Sequence, residues 1–215
     1  MTKTKVLIFG DSIAHGAWDT EKGGWVQRIK SFLDEETLSE SENEYIIYSL
    51  GVSGNNTEDL LERFEFETKQ RLKENDEELM FIFAIGTNDS QFIHSKNGLR
   101  FSPEEYENNL DRLLNLAKKF SSKIIFVGLT PVDETKTTPI PWSTDKSYKN
   151  EYIKRFNDIL SNFCKEKRIY FIEIFGELIK EDYQDLLEDG LHPTSGGHKK
   201  VFEIVKDFII KNKIL

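Results

Sequence analysis

The chain has few of the residues that build disulfide frameworks and metal clusters. It has 215 residues but a single cysteine, which excludes an internal disulfide and a thiolate metal site. Its histidines are scattered, which argues against a dense imidazole metal site; they are His15, His94, His192 and His198. No apolar run approaches the roughly 20 residues of a membrane span. The sequence therefore predicts no metal, no cofactor and no membrane span.

Basic residues are also in the minority. The chain has 29 Lys and Arg against 38 Asp and Glu, a net charge of -9. Nucleic-acid binding needs clustered basic residues to contact phosphates, so no nucleic-acid partner is expected. The apolar run at residues 6–9 is too short for the core of a signal peptide, and no small-residue cleavage site follows it. With the single cysteine, this favours a cytoplasmic location.

Short apolar runs alternate with amphipathic stretches along the whole chain. The predicted strands are residues 5–10, 44–50, 79–85, 123–129 and 168–174, and the predicted helices are 24–33, 57–73, one opening at Ser102 and Pro103, 147–165 and 195–211. Thr57 is the expected N-cap of the second helix. This alternation, with continuously apolar strands, predicts one α/β domain over residues 1–215 with a parallel sheet covered on both faces.

Two connections stand out between these elements. Residues 34–44 are acidic and rich in Ser and Glu, which predicts a solvated loop. Residues 130–145 hold three prolines and Trp142, and a connection of that length is often functional.

Polar turns follow the predicted strands at the edge where open parallel sheets bind ligands. They read Gly10-Asp11-Ser12, residues 51–56, and Gly86-Thr87-Asn88-Asp89, while Asp189-Gly190-Leu191-His192-Pro193 precedes the last helix. Each segment alone also fits an ordinary turn or helix cap. Together they contain what acyl transfer needs: Ser12 as nucleophile, His192 as base and Asp189 as its partner. The backbone N–H groups of Ser12 and Gly54 and the Asn88 amide are the expected oxyanion donors.

Other polar residues near these turns receive supporting or structural roles. Asp11 is expected to brace its turn, Asp89 and Ser53 to support the oxyanion turns, and His15, Trp18 and Trp142 to contact substrate. Three further residues are assigned to the framework: a solvated His94, a packing or capping His198, and Cys164 as a small core residue.

Taken together, the four segments resemble the SGNH hydrolases, also called the GDSL lipase/esterase family. The resemblance spans nearly the whole chain, with Ile13 in place of the family's usual Leu after the serine. It implies a flavodoxin-like three-layer α/β/α sandwich with a roughly five-stranded parallel sheet. It also implies Ser12 as nucleophile, His192 as base, Asp189 as its partner, and Gly54 and Asn88 in the oxyanion hole.

The sequence thus predicts a serine esterase that cleaves carboxylic esters of small substrates through an acyl-enzyme on Ser12. A thioesterase, a carbohydrate deacetylase and an acyltransferase remain open within the same family. From other classes, a metal-dependent phosphoesterase and a non-catalytic ligand-binding module remain as alternatives. Association into a homo-oligomer is also left open.

Overall fold

Five parallel strands form the centre of the molecule. The structure is a computed structural model that describes residues 2–39, 43–72, 78–180 and 182–215. In chain order the elements are β1 (Thr2–Gly10), α1 (Ser12–His15), α2 (Trp25–Leu38), β2 (Asn43–Gly51), α3 (Thr57–Arg71), β3 (Glu78–Ala84), β4 (Phe92–Ile93), β5 (Gly98–Leu99), α4 (Pro103–Ala117), β6 (Lys123–Val127), α5 (Glu134–Thr137), β7 (Lys146–Ser147), α6 (Asn150–Lys167), β8 (Tyr170–Ile172), α7 (Phe175–Leu178) and α8 (Ser195–Lys211).

The main sheet has the strand order β2-β1-β3-β6-β8, and every pair in it is parallel. Side chains alternate between its faces and fill two separate apolar cores. Leu7 and Phe9 point to one core with α3, α4 and α6, whereas Val6 and Ile8 point to the other with α2 and α8. The predicted α/β fold with a five-stranded parallel sheet between two helical layers is therefore confirmed.

Phenylalanine supplies much of the first core. Phe9 packs against Phe64 of α3 with ring centroids 5.1 Å apart, and Phe83 packs against Phe126 at the same separation. All four rings are fully buried. Burying one such side chain contributes about 1.5–3 kcal/mol, so these contacts hold the central strands and α3 together. The carboxyl ends of those strands, where the polar turns begin, are thereby fixed in space.

The helix α2 is longer than the sequence predicted. It runs to Leu38, so the expectation of a loop over residues 34–44 is wrong for its first five residues. Lys30 pairs with Asp34 one turn later, and the Thr37 hydroxyl donates to the Leu33 carbonyl at 2.9 Å. Glutamate, which occupies positions 35 and 36, is a good helix former, the ion pair compensates for the lower propensity of Asp34, and Leu33 buries its side chain. Residues 40–42 of the predicted loop lie outside the described residues.

The N-cap of α3 is Asn56, not the predicted Thr57. The Asn56 side chain accepts hydrogen bonds from the Glu58 and Asp59 backbone N–H groups at 2.8 and 3.1 Å. In turn, the Asp59 carboxylate accepts a hydrogen bond from the Asn56 backbone N–H. An amide can satisfy two orphan donors at a helix start, which a threonine one residue later cannot reach. Helix α3 ends at Arg71, and the predicted end at Lys73 lies outside the described residues.

A second, three-stranded antiparallel sheet was not predicted. Its order is β5-β4-β7, with two residues in each strand. Strands this short have no hydrophobic period to detect. One of them, β7, takes residues 146–147, so α6 begins at Asn150 instead of the predicted Ser147 and extends to Lys167. The strand β2 also differs from expectation, because it lies at the sheet edge and is only half-buried along most of its length.

Candidate active site

Ser12 lies at the mouth of the main sheet, as the first residue of α1 directly after β1. Gly10 allows this turn, since a Cβ there would lie 2.4 Å from the Ala84 carbonyl oxygen and 2.5 Å from Ala14 Cβ. The Asp11 side chain accepts a hydrogen bond from the Ile13 N–H at 2.9 Å and so caps α1. Asp11 thus braces the turn that presents Ser12, as expected.

Ser12, His192 and Asp189 form a continuous chain of hydrogen bonds. Ser12 Oγ lies 2.9 Å from His192 Nε2, and His192 Nδ1 lies 2.7 Å from Asp189 Oδ2. Asp189 is fixed from its other oxygen, because Oδ1 accepts the backbone N–H groups of Leu191 and His192 at 2.9 and 2.8 Å. Side chains 180 residues apart in sequence are therefore brought into contact at one point on the sheet edge.

The environment of Asp189 favours its ionised form. Partial burial opposes the charge, but the hydrogen bonds from the His192 ring and from two backbone N–H groups outweigh it, so the pKa of Asp189 is well below its ordinary value. A carboxylate at this position requires the His192 Nδ1 to carry the proton. The Nε2 lone pair then faces the Ser12 hydroxyl, which is the arrangement in which His192 can accept that proton.

Gly54 and Asn88 line the same cavity as Ser12. Gly54 has φ +81°, a left-handed conformation that favours glycine, although a Cβ there would meet nothing within 4 Å. The Asn88 amide is held at both ends, since Nδ2 donates to the Asn55 carbonyl at 2.9 Å and Oδ1 accepts from the Tyr148 hydroxyl at 2.7 Å. Within the described residues, no hydrogen bond occupies the second Nδ2 proton of Asn88.

Two buried carboxyl groups support these turns from below. The Asp89 carboxyl accepts hydrogen bonds from the Thr57 backbone N–H and hydroxyl, which ties the Asn88 turn to the start of α3. Asp11 and Asp89 are both almost completely buried, and this desolvation raises the pKa of each to about 6. The expected supporting role of Asp89 agrees with these contacts, whereas Ser53 is exposed at the cavity rim.

This relay of hydrogen bonds from Ser12 through His192 to Asp189 opens onto a cavity of about 850 Å³. Trp18 and Trp142 both line it, and their ring centroids lie 6.0 and 6.2 Å from that of the His192 imidazole. More than half of each indole side chain's surface is exposed. The exposed His15 also lies at the cavity, so the three predicted substrate contacts share one space with Ser12.

Sequence reasoning missed Asp19, the residue that fixes the loop between α1 and α2. Its carboxylate accepts the backbone N–H groups of Glu21, Lys22 and Gly24 at 2.9–3.1 Å and pairs with Arg28 at 3.0 Å. Burial opposes its charge, but these bonds prevail and hold the pKa of Asp19 well below its ordinary value. The Gly23-Gly24 pair just after Asp19 is the sequence signal of a tight turn that an acidic side chain could close.

His198 holds the same loop from α8. It is fully buried, and burial lowers its pKa, so the neutral ring is favoured. Its Nε2 lies 2.9 Å from the Ala17 carbonyl oxygen, and its Nδ1 accepts the Trp25 N–H at 3.3 Å. The predicted packing role is therefore correct. His94 is exposed and bonds Ser147, and Cys164 is a buried free thiol, both as expected.

The described residues meet the requirements of neither a metal site nor a membrane-spanning helix. Within residues 2–39, 43–72, 78–180 and 182–215, no group of three or more His, Cys, Asp or Glu side chains is placed to hold a metal ion. None of the helices in these ranges combines the length and the apolar character that crossing a membrane requires.

Comparisons with known proteins agree with this architecture. The family model described as GDSL-like lipase/acylhydrolase matches residues 8–200. An arylesterase from Vibrio mimicus is 23% identical over 209 residues, which cover 97% of this chain and 89% of that protein.

Two solved structures share the fold over nearly their whole length. A lipolytic protein of the G-D-S-L family from Veillonella parvula superposes with a TM-score of 0.71 at 16% identity, covering 95% of this chain and 97% of that one. An acetylxylan esterase from Geobacillus stearothermophilus gives a TM-score of 0.70 at 20% identity, covering 95% and 93%. The family match spans most of the sequence and includes all four polar segments. The chain therefore belongs to the GDSL-like lipase/acylhydrolase family.

Proposed function

We propose that this protein is a serine esterase that hydrolyses carboxylic esters through an acyl-enzyme on Ser12. The observation that carries the proposal is the hydrogen-bonded relay from Ser12 through His192 to Asp189 at the floor of an open cavity. Family membership supports the general esterase chemistry.

The first half of the reaction forms the acyl-enzyme. Ser12 Oγ attacks the ester carbonyl while its proton moves to His192 Nε2, and the C–O bond to the alcohol then breaks as His192 returns that proton to the leaving oxygen. Asp189 stabilises the imidazolium that exists between these two transfers. Because Asp189 is already ionised and oriented, no rearrangement is needed when the positive charge develops.

The second half releases the acid. A water molecule attacks the acyl carbonyl, its proton passes to His192 Nε2, and Ser12 Oγ leaves with that proton. In both halves the carbonyl oxygen becomes an oxyanion. We assign its stabilisation to the backbone N–H groups of Ser12 and Gly54 and the second Nδ2 proton of Asn88. One such donor typically contributes a factor of about 10²–10³ to kcat.

The two indoles beside His192 favour an ester whose alcohol is cyclic. The leaving oxygen must lie within hydrogen-bonding reach of His192 Nε2, and the rings of Trp18 and Trp142 lie 6.0 and 6.2 Å from that imidazole. Aromatic faces pack well against aryl groups and against the apolar faces of sugar rings. The names of two similar proteins, an arylesterase and an acetylxylan esterase, agree with this class. Thioesters and acyl transfer to other alcohols would use the same relay.

The proposal is tested with Ser12→Ala and a matched control, Ser31→Ala, which changes an exposed serine on α2. We expect Ser12→Ala to lower kcat on 4-nitrophenyl acetate by several orders of magnitude with an unchanged circular dichroism spectrum, and Ser31→Ala to behave as wild type. A fluorophosphonate probe should label wild type at Ser12. Near wild-type turnover by Ser12→Ala would show that the nucleophile is elsewhere.

The remaining alternatives are separated by a substrate panel. Aryl acetates, linear alkyl acetates, acetylated sugars and acyl-CoA thioesters distinguish the family activities from one another. Hydrolysis of phosphate esters that disappears in EDTA would indicate the metal-dependent phosphoesterase instead. Absence of both turnover and probe labelling would indicate a binding module. A cytoplasmic location is also part of the proposal, supported by the single free thiol, and cell fractionation tests it.

A further inference from the structure

Trp18 has an unusual backbone for an aromatic residue. Its φ is +69°, in the left-handed region that bulky side chains rarely adopt. Such a conformation persists only where the surrounding structure enforces it, and it often marks a functional site. Here the enforcing contacts lie immediately on either side, since His198 holds the Ala17 carbonyl and Asp19 fixes the following turn.

The strained backbone brings the indole to the relay. Trp18 Nε1 donates a hydrogen bond to Asp189 Oδ2 at 2.8 Å, and this is the same oxygen that receives His192 Nδ1 at 2.7 Å. The indole N–H, the His192 Nδ1–H and the two backbone N–H groups on Oδ1 together give Asp189 four donors. The indole remains 56% exposed, so burial of apolar surface does not by itself explain its position.

We propose that Trp18 is a positioning residue of the hydrolytic relay, which fixes Asp189 against His192 through its indole N–H. The proposal rests on the proposed esterase function. A donor that shares Oδ2 fixes the position of the carboxylate, and so the position of the imidazole bonded to it. It also draws electron density from that oxygen, which weakens the attraction between Asp189 and the imidazolium. Trp18 therefore affects the chemical step through Asp189, whereas its aromatic face, which phenylalanine would keep, is left to pack against the ester.

The test is Trp18→Phe, with Trp142→Phe as the matched control. Trp142 also contacts His192 in the cavity, but within the described residues it makes no hydrogen bond to the relay. We expect Trp18→Phe to lower kcat about tenfold or more with little change in KM, because one hydrogen bond to a charged group is lost. Trp142→Phe should change KM more than kcat. Benzothienylalanine at position 18 controls for the change of packing, because it keeps the shape of the indole and lacks only the N–H. It should give the same loss in kcat.

Two further readouts separate positioning from simple packing. The acidic limb of the kcat/KM profile should move to higher pH in Trp18→Phe, because Asp189 attracts the imidazolium more strongly without the indole donor. Asp11 and His198 also act on His192 electrostatically and are unchanged in the variant. The proton NMR resonance of His192 Nδ1–H should shift as well. Unchanged kcat, pH profile and resonance would overturn the proposal, whereas failure of Ser12 labelling in wild type would overturn the esterase function alone.

A different observation concerns the charge of the cavity. The Arg100 N–H donates to the Gln91 carbonyl, and Gln91 Nε2 donates to the Tyr148 hydroxyl. These bonds align Arg100, Gln91 and Tyr148 in a row one residue beyond the ends of β5, β4 and β7. The next row on the same face runs from Gly98 through Ile93 to Lys146. Arg100, Gln91, Tyr148 and Lys146 all line the cavity.

Arg100 and Lys146 therefore lie in neighbouring rows, and both line the cavity that holds Ser12. Within the described residues, Arg100 has one carboxylate partner, Asp59 at 4.0 Å, and Lys146 has no carboxylate within that distance. Two cations with so little local compensation make this part of the cavity favourable for an anion, although the chain as a whole has a net charge of -9. From this placement we infer that the substrate ester carries an anionic group, such as a carboxylate, bound between Arg100 and Lys146.

Pairs of esters that differ only in charge test this inference. Mono(4-nitrophenyl) glutarate against 4-nitrophenyl valerate places the charge on the acyl side, and 4-acetoxy-3-nitrobenzoate against its methyl ester places it on the alcohol side. One of the anionic members should be preferred roughly tenfold or more in kcat/KM at low salt. Lys146→Met should abolish the preference, while Lys149→Met, outside the cavity, should retain it. A neutral preference in both pairs, or one that survives Lys146→Met, would refute the inference.

Discussion

Replacing Asp189 with Asn tests whether the relay depends on the charge and acceptor pattern of this side chain. All four hydrogen bonds to Asp189 come from N–H donors, two at each oxygen. An asparagine offers one acceptor oxygen and one N–H₂ group. If its oxygen keeps the backbone donors of Leu191 and His192, its N–H₂ group faces the ring of His192 and the indole of Trp18.

The imidazole can relieve that conflict only by moving its proton from Nδ1 to Nε2. The Nε2–H would then point at Ser12 Oγ, and His192 could no longer accept the serine proton. The expected loss in kcat is about 10⁴-fold, the size seen when this exchange is made in serine proteases. The loss of stability should be only about 1–2 kcal/mol, because Asp189 is partly exposed and the amide retains two of the bonds.

The assay is turnover of 4-nitrophenyl acetate at pH 7.5, with urea unfolding of the same preparations. Asp185→Asn, an exposed residue four positions earlier, is the control for loss of one negative charge nearby. A kcat for Asp189→Asn within tenfold of wild type, in a folded protein, would show that Asp189 does not set the tautomer of His192.

Three other expectations concern the supports of the site. Tyr148→Phe removes the donor to Asn88 Oδ1, so kcat should fall about tenfold at constant KM, measured by steady-state kinetics. Asp19→Asn should lower the free energy of unfolding, measured in urea at pH 7, by about 3 kcal/mol. Because the folded pKa of Asp19 is depressed, this difference from wild type should shrink as the pH falls below about 4. Asp11 holds its proton up to a pH of about 6 in the folded protein, so the wild type loses stability as the pH rises from about 4 to 6. In the same urea assay, Asp11→Asn should therefore be more stable than wild type by up to about 3 kcal/mol at pH 8. This gain should vanish at pH 4.

The central strands of the main sheet were predictable because they are apolar on both faces. Residues 6–9 of β1 and 79–83 of β3 are hydrophobic and buried, so the predicted strands there differ from the structure only at their ends. The end of α2 and the cap of α3 were predicted wrongly because local side-chain bonds, such as those of Asn56, decided them. The small sheet is defined by pairing between distant segments, which no single stretch of sequence encodes.

The site divides in a similar way. Ser12, His192 and Asp189 were proposed from residue type and position at the sheet edge, and the structure brings them into contact. Trp18 was expected to contact substrate, but its bond to Asp189 joins residues 171 positions apart and left no local signal. The same holds for Tyr148, whose bond to Asn88 spans 60 positions.

The separation between Ser12 and His192 has a consequence for biosynthesis. Ser12 lies just after β1, whereas His192 lies 180 residues later, after all five strands of the main sheet and just before α8. The proposed relay can therefore form only once the segment before α8 has been synthesised and has docked onto the main sheet. Nascent chains should be inert towards cellular esters, and recovery of activity during refolding should report the docking of this last segment.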